Sequence, residues 1–420
     1  MRYNSARSNL AHNQSIDQYM TTSAFHAVEM APRDPILGLT ELFKADQNPQ
    51  KVNLGVGVYY DDSGAVPLLE CVKLAEERVV AKQAARAYQP IDGNATYCAL
   101  VQELLFGANA PVINEKRVIS AQTLGGTGAL KIGADFLKSV VGCTDVWISN
   151  PSWENHRGIF ENAGFQVNTY PYYDGATQGI AFDEMVTKLE QLPANSVVLL
   201  HACCHNPTGV DLSQEQWNAV ADIVTKKELI PFLDIAYQGF GDSVEEDGFA
   251  VRLFVERCAN VIVSNSFSKS FSLYGERIGG LSIVSESSDE AKRVQSQLKR
   301  LIRTNYSNPP IYSGAIVETV LADSTLRATW ERELGGMRDR IKLMRAELAK
   351  NVGELCSGKD FSFITEQRGM FSYSGLTKGQ VVRMREENSI YAIESGRICV
   401  AALNSHNIGP VSEAIAKVIA

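Results

Sequence analysis

The 420-residue sequence predicts an α/β fold built around a mostly parallel β-sheet. Three observations predict this fold. Apolar runs of strand length alternate with helical patterns through the middle of the chain. Polar or glycine-containing turns follow these runs. At roughly 150 residues per domain, the chain also has room for two or three domains and a large core.

The predicted strands can be placed in order. Residues 118–120 are followed by a glycine-rich turn and a helical pattern over 129–140, and residues 146–148 come next. Three further strands are predicted at 197–201, 230–234 and 261–263. In open α/β sheets, ligands bind beyond the carboxyl ends of the strands. The polar residues that follow these runs therefore indicate where the site lies.

The pattern changes beyond residues 308–310. Long amphipathic helices are predicted there, notably over 326–348, and a mixed segment ends in a helix over 411–419. This segment predicts a second, smaller domain. The Gly335 and Gly336 pair inside the long helix is either a bend or domain hinge, or a tolerated local weakness.

Composition excludes several classes of protein. The net charge of −8 lacks the positive field that binding to nucleic acid requires. Hydrophobic content of 45% with 21% charged residues argues against disorder or a fibre for the whole chain. No stretch approaches the roughly 18 apolar residues of a membrane span. A soluble protein without membrane contact is expected.

The N-terminus and the cysteines bear on location. Residues 1–25 have no apolar core of the secretory kind, so a disordered extension or an over-long start before Met20 is expected, with a transit peptide as the weaker alternative. Eight cysteines form no C-x-x-C pair, which favours free thiols and a cytoplasmic location. Cys203 and Cys204 follow an apolar run in which neighbouring side chains point to opposite faces, so no metal site is predicted.

The glycine-rich turn at residues 125–128 precedes a predicted helix. It matches neither the dinucleotide fingerprint nor the P-loop pattern. It still offers backbone N–H groups and the positive end of a helix dipole to an anion. A plain strand-to-helix turn is the alternative at this point.

Lys269 lies in the hydroxyl-rich segment SNSFSKSF at 264–271, eight residues before Arg277. A lysine amine attacks a carbonyl when burial or a neighbouring cation lowers its pKa. Arg277 supplies such a cation and is also suited to bidentate binding of phosphate. This combination is what a pyridoxal phosphate site needs, although an exposed turn lysine would show the same residues.

Asp234 ends the apolar run 230–233. A carboxylate leaving a buried strand is costly unless it is paired. A protonated pyridine nitrogen would be such a partner, and its protonation makes the ring an electron sink. Asp234 is therefore interpreted as the partner of the ring nitrogen, and Lys269 as the Schiff-base lysine.

Longer motifs carry a resemblance to a known family. They are NLGVGVY at 53–59, NPSW at 150–153, HNPTG at 205–209, DIAYQGF at 234–240 and SGR at 395–397. With Lys269 and Arg277, they make the chain resemble the fold-type I, pyridoxal-phosphate-dependent class I aminotransferases of the aspartate and aromatic amino acid branch. The resemblance extends from about residue 34 to the C-terminus.

The resemblance implies a seven-stranded, mostly parallel sheet in a large domain plus a small α/β domain. Residues 26–60 would form an N-terminal arm and part of the small domain, residues 61–334 the large cofactor-binding domain, and residues 335–420 the small C-terminal domain. It also implies a homodimer with shared active sites, in which residues 24–34 pack on the partner. Substrate would close the small domain over the site.

The resemblance also implies a role for each site residue. The expected catalytic residues are Lys269, Asp234, Tyr237 and Trp153. Lys269 would hold the cofactor and then move a proton at the substrate Cα. Trp153 would stack on the ring, Asn206 and Tyr237 would contact its oxygen, and His156 would orient Asp234, with His201 behind them. Phosphate would be bound by Gly126, Thr127, Ser266, Ser268, Arg277 and, from the other subunit, Tyr88.

Two arginines are expected to bind substrate. Arg397 would bind the α-carboxylate, with Trp153 and Asn206 beside it and Gly57 permitting close approach. Arg303 would bind the distal carboxylate in the neighbouring subunit's site. No metal is implied.

The expected reaction is ping-pong transfer of the amino group of aromatic amino acids and aspartate to 2-oxoglutarate. Tyr60, Val66 and Ala87 resemble the aromatic branch, whereas Thr127 and Asn308 look more aspartate-like. The alternatives are a strict aspartate aminotransferase and, more remotely, a pyridoxal-phosphate lyase or decarboxylase. The arginine pair argues against the lyase, and the presence of Lys269, Asp234 and Arg397 argues against a cofactor-free scaffold.

Overall fold

The structure is a computed structural model, and it describes residues 23–31, 35–356, 358 and 360–420. Most of the predicted N-terminal extension, residues 1–22, lies outside this part of the chain. The strands are β1 (Val52–Asn53), β2 (Val118–Leu124), β3 (Asp145–Asn150), β4 (Gln166–Pro171), β5 (Tyr173–Asp174), β6 (Gly179–Ile180), β7 (Val197–His201), β8 (Ile230–Ile235), β9 (Val261–Ser266), β10 (Ile278–Val284), β11 (Phe371–Tyr373), β12 (Ile390–Tyr391) and β13 (Arg397–Cys399).

Helices surround and extend the sheet. They are α1 (Pro35–Ala45), α2 (Glu70–Ala81), α3 (Ala95–Phe106), α4 (Pro111–Asn114), α5 (Gly125–Phe136), α6 (Glu154–Asn162), α7 (Phe182–Glu190), α8 (Gln214–Lys226), α9 (Phe249–Arg257), α10 (Ser288–Asn305), α11 (Ile311–Ala322), α12 (Ser324–Leu355), α13 (Lys378–Asn388) and α14 (Ile408–Ile419). Among the residues that the structure describes, no helix is both long and apolar enough to span a membrane.

The central sheet has seven strands in the order β2-β10-β9-β8-β7-β3-β4. β10 runs antiparallel to both of its neighbours, and the other pairs are parallel. The predicted α/β class with a mostly parallel seven-stranded sheet is confirmed. β2 extends to Leu124, beyond the predicted residues 118–120, because its second half pairs with β10, where Leu124 faces Ile278.

The sheet is buried on both faces, as parallel sheets are. Along β7, Val198 and Leu200 pack into one apolar cluster with α8 and α9, whereas Val197 and Leu199 pack into another with α5. This alternation follows from the two-residue period of a strand. A polar side chain within a strand then needs a partner, as Ser120 and Ser282 have in each other at 2.7 Å.

Helix α5 packs closely on the sheet because it carries a glycine at the contact. A Cβ at Gly133 would lie 2.6 Å from Cζ of Phe232 on β8. The close approach brings the first turn of α5, at Gly125 and Gly126, next to the end of β9 at Ser266. The fold thus places a helix N-terminus at the carboxyl edge of the sheet.

The C-terminal elements form smaller sheets around α12. β11 pairs with β13, and β1 pairs with β12, which ties the segment after α1 to the C-terminal part. Helix α12 continues through Gly335 and Gly336 without interruption. The division at residues 334 and 335 remains a prediction.

Candidate active site

Most of the predicted site residues line one cavity of about 250 Å³. It lies at the carboxyl ends of the parallel strands, where the polar residues after β7, β8 and β9 meet. The lining residues are Gly57, Gly126, Thr127, Leu130, Trp153, His201, Asn206, Asp234, Ala236, Tyr237, Ser266, Ser268, Lys269, Tyr274, Arg277, Phe371 and Arg397.

Lys269 follows β9 and projects into this cavity. Its Nζ lies 4.9 Å from the centre of the Tyr237 ring. Burial is the main cause that lowers the pKa of Lys269 to about 8, and Arg277 lowers it further while Asp234 opposes the shift. A lysine with this pKa is partly neutral near pH 7, which is the nucleophilic form of the amine.

Asp234 lies near the end of β8 and is held by two side chains. His156 Nε2 lies 3.0 Å from Oδ2, and the Ser264 hydroxyl donates to Oδ1 at 2.7 Å. Ser152 is within 2.9 Å of the other His156 ring nitrogen and fixes the ring. Burial acts to raise the Asp234 pKa, but hydrogen bonding and charge from His156 outweigh it, and the pKa falls below its usual value. The carboxylate stays ionised in a buried position.

His201 lies beside His156, with their ring centres 4.9 Å apart. Burial lowers the pKa of His201 to about 3, and His156 adds to the effect. Neither ring nitrogen of His201 has a hydrogen-bond partner in the part of the chain that the structure describes. His201 is therefore a neutral ring that lines the cavity next to Asp234.

An anion cradle forms at the start of α5. Gly125 has a left-handed backbone, and a Cβ there would lie 2.6 Å from Nη2 of Arg277. The Ser266 hydroxyl donates to Ser268 at 3.1 Å, and Arg277 Nη1 donates to Ser268 at 3.3 Å. A helix N-terminus, two hydroxyls and a guanidinium thus converge on one point, which is a donor set suited to phosphate.

The residues present fit pyridoxal phosphate. Lys269 supplies the amine for its aldehyde, Asp234 the anion for its ring nitrogen, and the cradle the donors for its phosphate. Trp153 and Tyr237 bring aromatic surface to the same cavity. Small residues at Gly125 and Gly126 keep the cradle open, because a Cβ at Gly126 would lie 3.2 Å from Ser266.

Arg397 forms a second, cationic subsite. It is 1% exposed, and it donates to the Gly55 carbonyl at 2.8 Å and to Asn206 Oδ1 at 3.2 Å. Its guanidinium lies 4.4 Å from the centre of the Phe371 ring, and its Nε has no hydrogen-bond partner within the described ranges of the chain. Among the described residues, no Asp or Glu forms an ion pair with Arg397. A buried cation in this state is suited to a carboxylate ligand.

Two predicted residues lie away from this cavity. Tyr88 is 93% exposed, and Arg303 is exposed on α10, where it donates to Ser307. Both were assigned to the neighbouring subunit's site, so their roles remain predictions. His156 does not line the cavity but contacts Asp234 from behind.

The sequence analysis missed Tyr274 and Phe371. The Tyr274 hydroxyl accepts the Tyr59 backbone N–H at 2.9 Å, which joins the segment near Gly57 to the lysine loop. Tyr274 lies between Lys269 and Arg277 in sequence, and that position was an available signal. Phe371 comes from the distant β11, and nothing in its neighbourhood distinguishes it from a core residue.

The predicted orientation of Cys203 and Cys204 is wrong. β7 ends at His201, and Cys204 has a left-handed backbone with φ of 52°. The alternation of a strand therefore does not apply. The two thiols and the Asp247 carboxylate lie within 4.8 Å of one another, and all three residues are buried.

Comparison with known proteins agrees with this geometry. The sequence profile of the family described as aminotransferase class I and II matches residues 49–415. The chain belongs to this family. An aspartate aminotransferase from Pseudomonas aeruginosa is 56% identical to this aminotransferase over 397 residues, which are 94% of the chain and 100% of the relative. The aromatic-amino-acid aminotransferase of Escherichia coli is 50% identical, with the same shares covered.

Solved structures are also similar to this aminotransferase. The crystal structure of an aromatic-amino-acid aminotransferase from Burkholderia pseudomallei, covalently bound to pyridoxal phosphate, superposes with a TM-score of 0.93 at 59% identity. The match covers 95% of this chain and 100% of that one.

Proposed function

We propose that this aminotransferase uses pyridoxal phosphate to transfer the amino group of aromatic amino acids and of aspartate to 2-oxoglutarate, by a ping-pong mechanism. The observation that carries the proposal is one cavity that joins a lysine with a lowered pKa, a buried ionised aspartate and a buried arginine with no counter-ion among the described residues. The lysine is suited to the aldehyde of pyridoxal phosphate, the aspartate to its ring nitrogen, and the arginine to the carboxylate of an amino acid.

The protein's own residues divide the work. Pyridoxal phosphate, when bound, supplies an electron sink for the carbanion at the substrate Cα. Lys269 would hold the cofactor through its aldehyde, and its free amine would take and return the proton at the substrate Cα. Asp234, held by His156 and Ser264, would keep the proton on the ring nitrogen. Arg397 orients the substrate through its carboxylate, which brings Cα next to Lys269.

Substrate choice follows from the second carboxylate subsite. Arg303 of the neighbouring subunit would bind the distal carboxylate of aspartate, glutamate and 2-oxoglutarate. Aromatic substrates would place their rings near Tyr60, Val66 and Ala87, which are less polar than an aspartate-restricted lining. The names of the relatives support both substrate classes, since one is an aspartate aminotransferase and another an aromatic-amino-acid aminotransferase.

The functional unit is proposed to be a homodimer. Phe25, Val28 and Met30 in the N-terminal segment are 79%, 71% and 95% exposed. Apolar side chains this exposed mark a contact surface, and Tyr88 is free to reach a partner's phosphate. A cytoplasmic location is also proposed, since all eight cysteines are free thiols.

A half-reaction titration tests the proposal. The purified protein is loaded with pyridoxal phosphate, and aspartate, phenylalanine and tyrosine are added separately while the cofactor spectrum is followed. Conversion by aspartate and both aromatic amino acids is expected. Conversion by aspartate alone would assign a strict aspartate aminotransferase, and no cofactor band would refute the site. Lys269→Ala is the matched control, and this variant should bind pyridoxal phosphate without forming a covalent bond to it.

A further inference from the structure

A second, smaller cavity of about 130 Å³ shares no lining residue with the active-site cavity. Its lining includes three aspartates, Asp211, Asp242 and Asp247, together with Cys203 and Arg368. Asp247 is buried, and Asp211 is half-buried. The loops that carry Asn206 and Tyr237 are close in sequence to residues that line this cavity. Backbone N–H groups of each loop donate hydrogen bonds to one of these two carboxylates.

Asp211 holds the loop that follows β7. Its Oδ2 accepts the backbone N–H of Cys204 at 2.7 Å, and its Oδ1 accepts that of His205 at 2.8 Å. The next residue, Asn206, accepts a hydrogen bond from Arg397. The position of Asn206, and through it that of the Arg397 guanidinium, therefore depends on the Asp211 carboxylate.

Asp247 does the same for the loop that follows β8. Its Oδ2 accepts the backbone N–H groups of Gly239 at 2.7 Å and Gly241 at 2.9 Å, and its Oδ1 accepts that of Asp242 at 2.9 Å. Gly239 lies two residues after Tyr237, whose ring faces Lys269. Asp247 thus fixes the backbone that presents Tyr237 to the lysine.

Neither carboxylate has a close ion-pair partner among the described residues. The charged groups around them are Arg368, which pairs with Asp242, the buried Arg345, and the exposed Glu246. Burial raises the pKa of Asp211 to about 6, with Asp247 adding to the shift, and burial also raises the pKa of Asp247. The backbone N–H groups of the two loops, and not a neighbouring cation, therefore hold these carboxylates in place.

We propose that Asp211 and Asp247 are positioning residues that fix Asn206 and Tyr237 from behind the active site. The inference rests on the proposed function, because it concerns the groups that face Arg397 and Lys269. A carboxylate suits this task because both of its oxygens accept hydrogen bonds. An asparagine would keep one acceptor and turn its amide donors toward a backbone N–H.

The two substitutions should have different signatures. Asp211→Asn displaces Asn206 and should raise the KM of every substrate and the Kd of a dicarboxylate inhibitor about tenfold or more, with a smaller effect on kcat. Asp247→Asn displaces Tyr237 and should shift the pH midpoint of the absorbance of lysine-bound cofactor. A general loss of stability would not change the KM in one variant and the pH midpoint in the other.

Amide hydrogen exchange gives a readout that does not depend on activity. In the cofactor-loaded protein, Asp211→Asn should speed exchange at residues 204–206, and Asp247→Asn should speed exchange at residues 239–242. The double variant tests coupling across the shared cavity. Faster exchange confined to the loop of the substituted aspartate supports the proposal.

Two controls make the test decisive. Asp323 accepts the backbone N–H groups of Thr325 and Leu326 at the start of α12 and pairs with Arg78, so Asp323→Asn weakens backbone acceptors elsewhere in the chain together with one ion pair. Val352→Ala removes core volume on α12 and supplies a variant of lowered stability. Neither control should change the KM or the spectroscopic midpoint.

The proposal is overturned if Asp211→Asn and Asp247→Asn leave the KM and the midpoint at wild-type values, or if Val352→Ala shifts the KM and the midpoint as much as the two aspartate variants do. If the wild-type protein itself fails to convert any amino acid, the proposed function fails instead. The exchange rates at residues 204–206 and 239–242 would still report whether the carboxylates hold their loops.

Discussion

An added methyl group at Gly57, which lines the active-site cavity, should weaken substrate binding. A Cβ at Gly57 would lie 2.6 Å from Cζ of Phe371. Gly57 does not have a left-handed backbone, so alanine is permitted there and the conflict is one of space alone. Gly57→Ala therefore tests how Phe371 supports Arg397.

The size of the conflict follows from the structure. Ordinary contact begins near 3.4 Å, so the Phe371 ring has to retreat by about 1 Å. Its backbone cannot follow easily, because β11 pairs with β13 and Arg345 donates to the Phe371 carbonyl at 2.9 Å. The ring has to turn, and it lies 4.4 Å from the Arg397 guanidinium. Misplacement of about 1 Å in an active site costs up to about a hundredfold in rate.

We expect Gly57→Ala to lower kcat/KM roughly ten- to a hundredfold, mostly through KM. Steady-state kinetics with aspartate and phenylalanine, and the Kd of a dicarboxylate inhibitor, measure the effect. The spectrum of lysine-bound cofactor should change little, because the Phe371 ring that has to turn lies against Arg397, whereas Lys269 lies against Tyr237. Overpacking should also lower the free energy of unfolding by about 1–3 kcal/mol.

Two controls accompany this substitution. Gly353→Ala adds a methyl group on α12, where nothing lies within 4 Å, and should leave the kinetics unchanged. Phe371→Leu, made alone and with Gly57→Ala, frees space at the ring edge, so the double variant should lose less than the sum of the two single losses. A wild-type KM in Gly57→Ala would refute the role assigned to Phe371.

Three further predictions concern the groups of the proposed mechanism. Covalent capture of pyridoxal phosphate by the cofactor-free protein should speed up as pH rises, with a midpoint near 8. Only the neutral Lys269 amine attacks the aldehyde, and burial holds the pKa of this amine near that value. Rapid-mixing absorbance measures the rate, and a midpoint near the ordinary 10.5 would contradict the prediction. Asp234→Asn should lower kcat by at least about a hundredfold while the cofactor still binds, since the ring nitrogen loses its anion; single-turnover rates near wild type would count against the pairing. Arg397→Lys should raise the KM of all substrates about tenfold or more, because an ammonium cannot reproduce the guanidinium fork, and equal inhibitor Kd values in variant and wild type would exclude the carboxylate subsite.

The chemistry of the site was readable from sequence because its main groups lie at fixed distances from recognisable strands. Lys269 follows β9, Asp234 lies near the end of β8, and the glycine-rich start of α5 follows β2. Apolar runs bounded by turns predict such strands. Their polar ends meet wherever parallel strands lie side by side. Two strands of the central sheet, β4 and β10, were not predicted from the sequence. Polar residues interrupt the apolar run of β4, and the Gly279 and Gly280 pair interrupts that of β10.

Tertiary structure alone decided which distant segments complete the site. Phe371 reaches Arg397 because β11 pairs with β13, and no local pattern encodes that register. The role of the Asp211 and Asp247 carboxylates could not be predicted from the sequence. They accept hydrogen bonds from backbone N–H groups, which every residue type except proline carries. The sequence by itself determined the fold class and the reactive groups. Their spacing, burial and support come from long-range packing, which depends on distances in space and not along the chain.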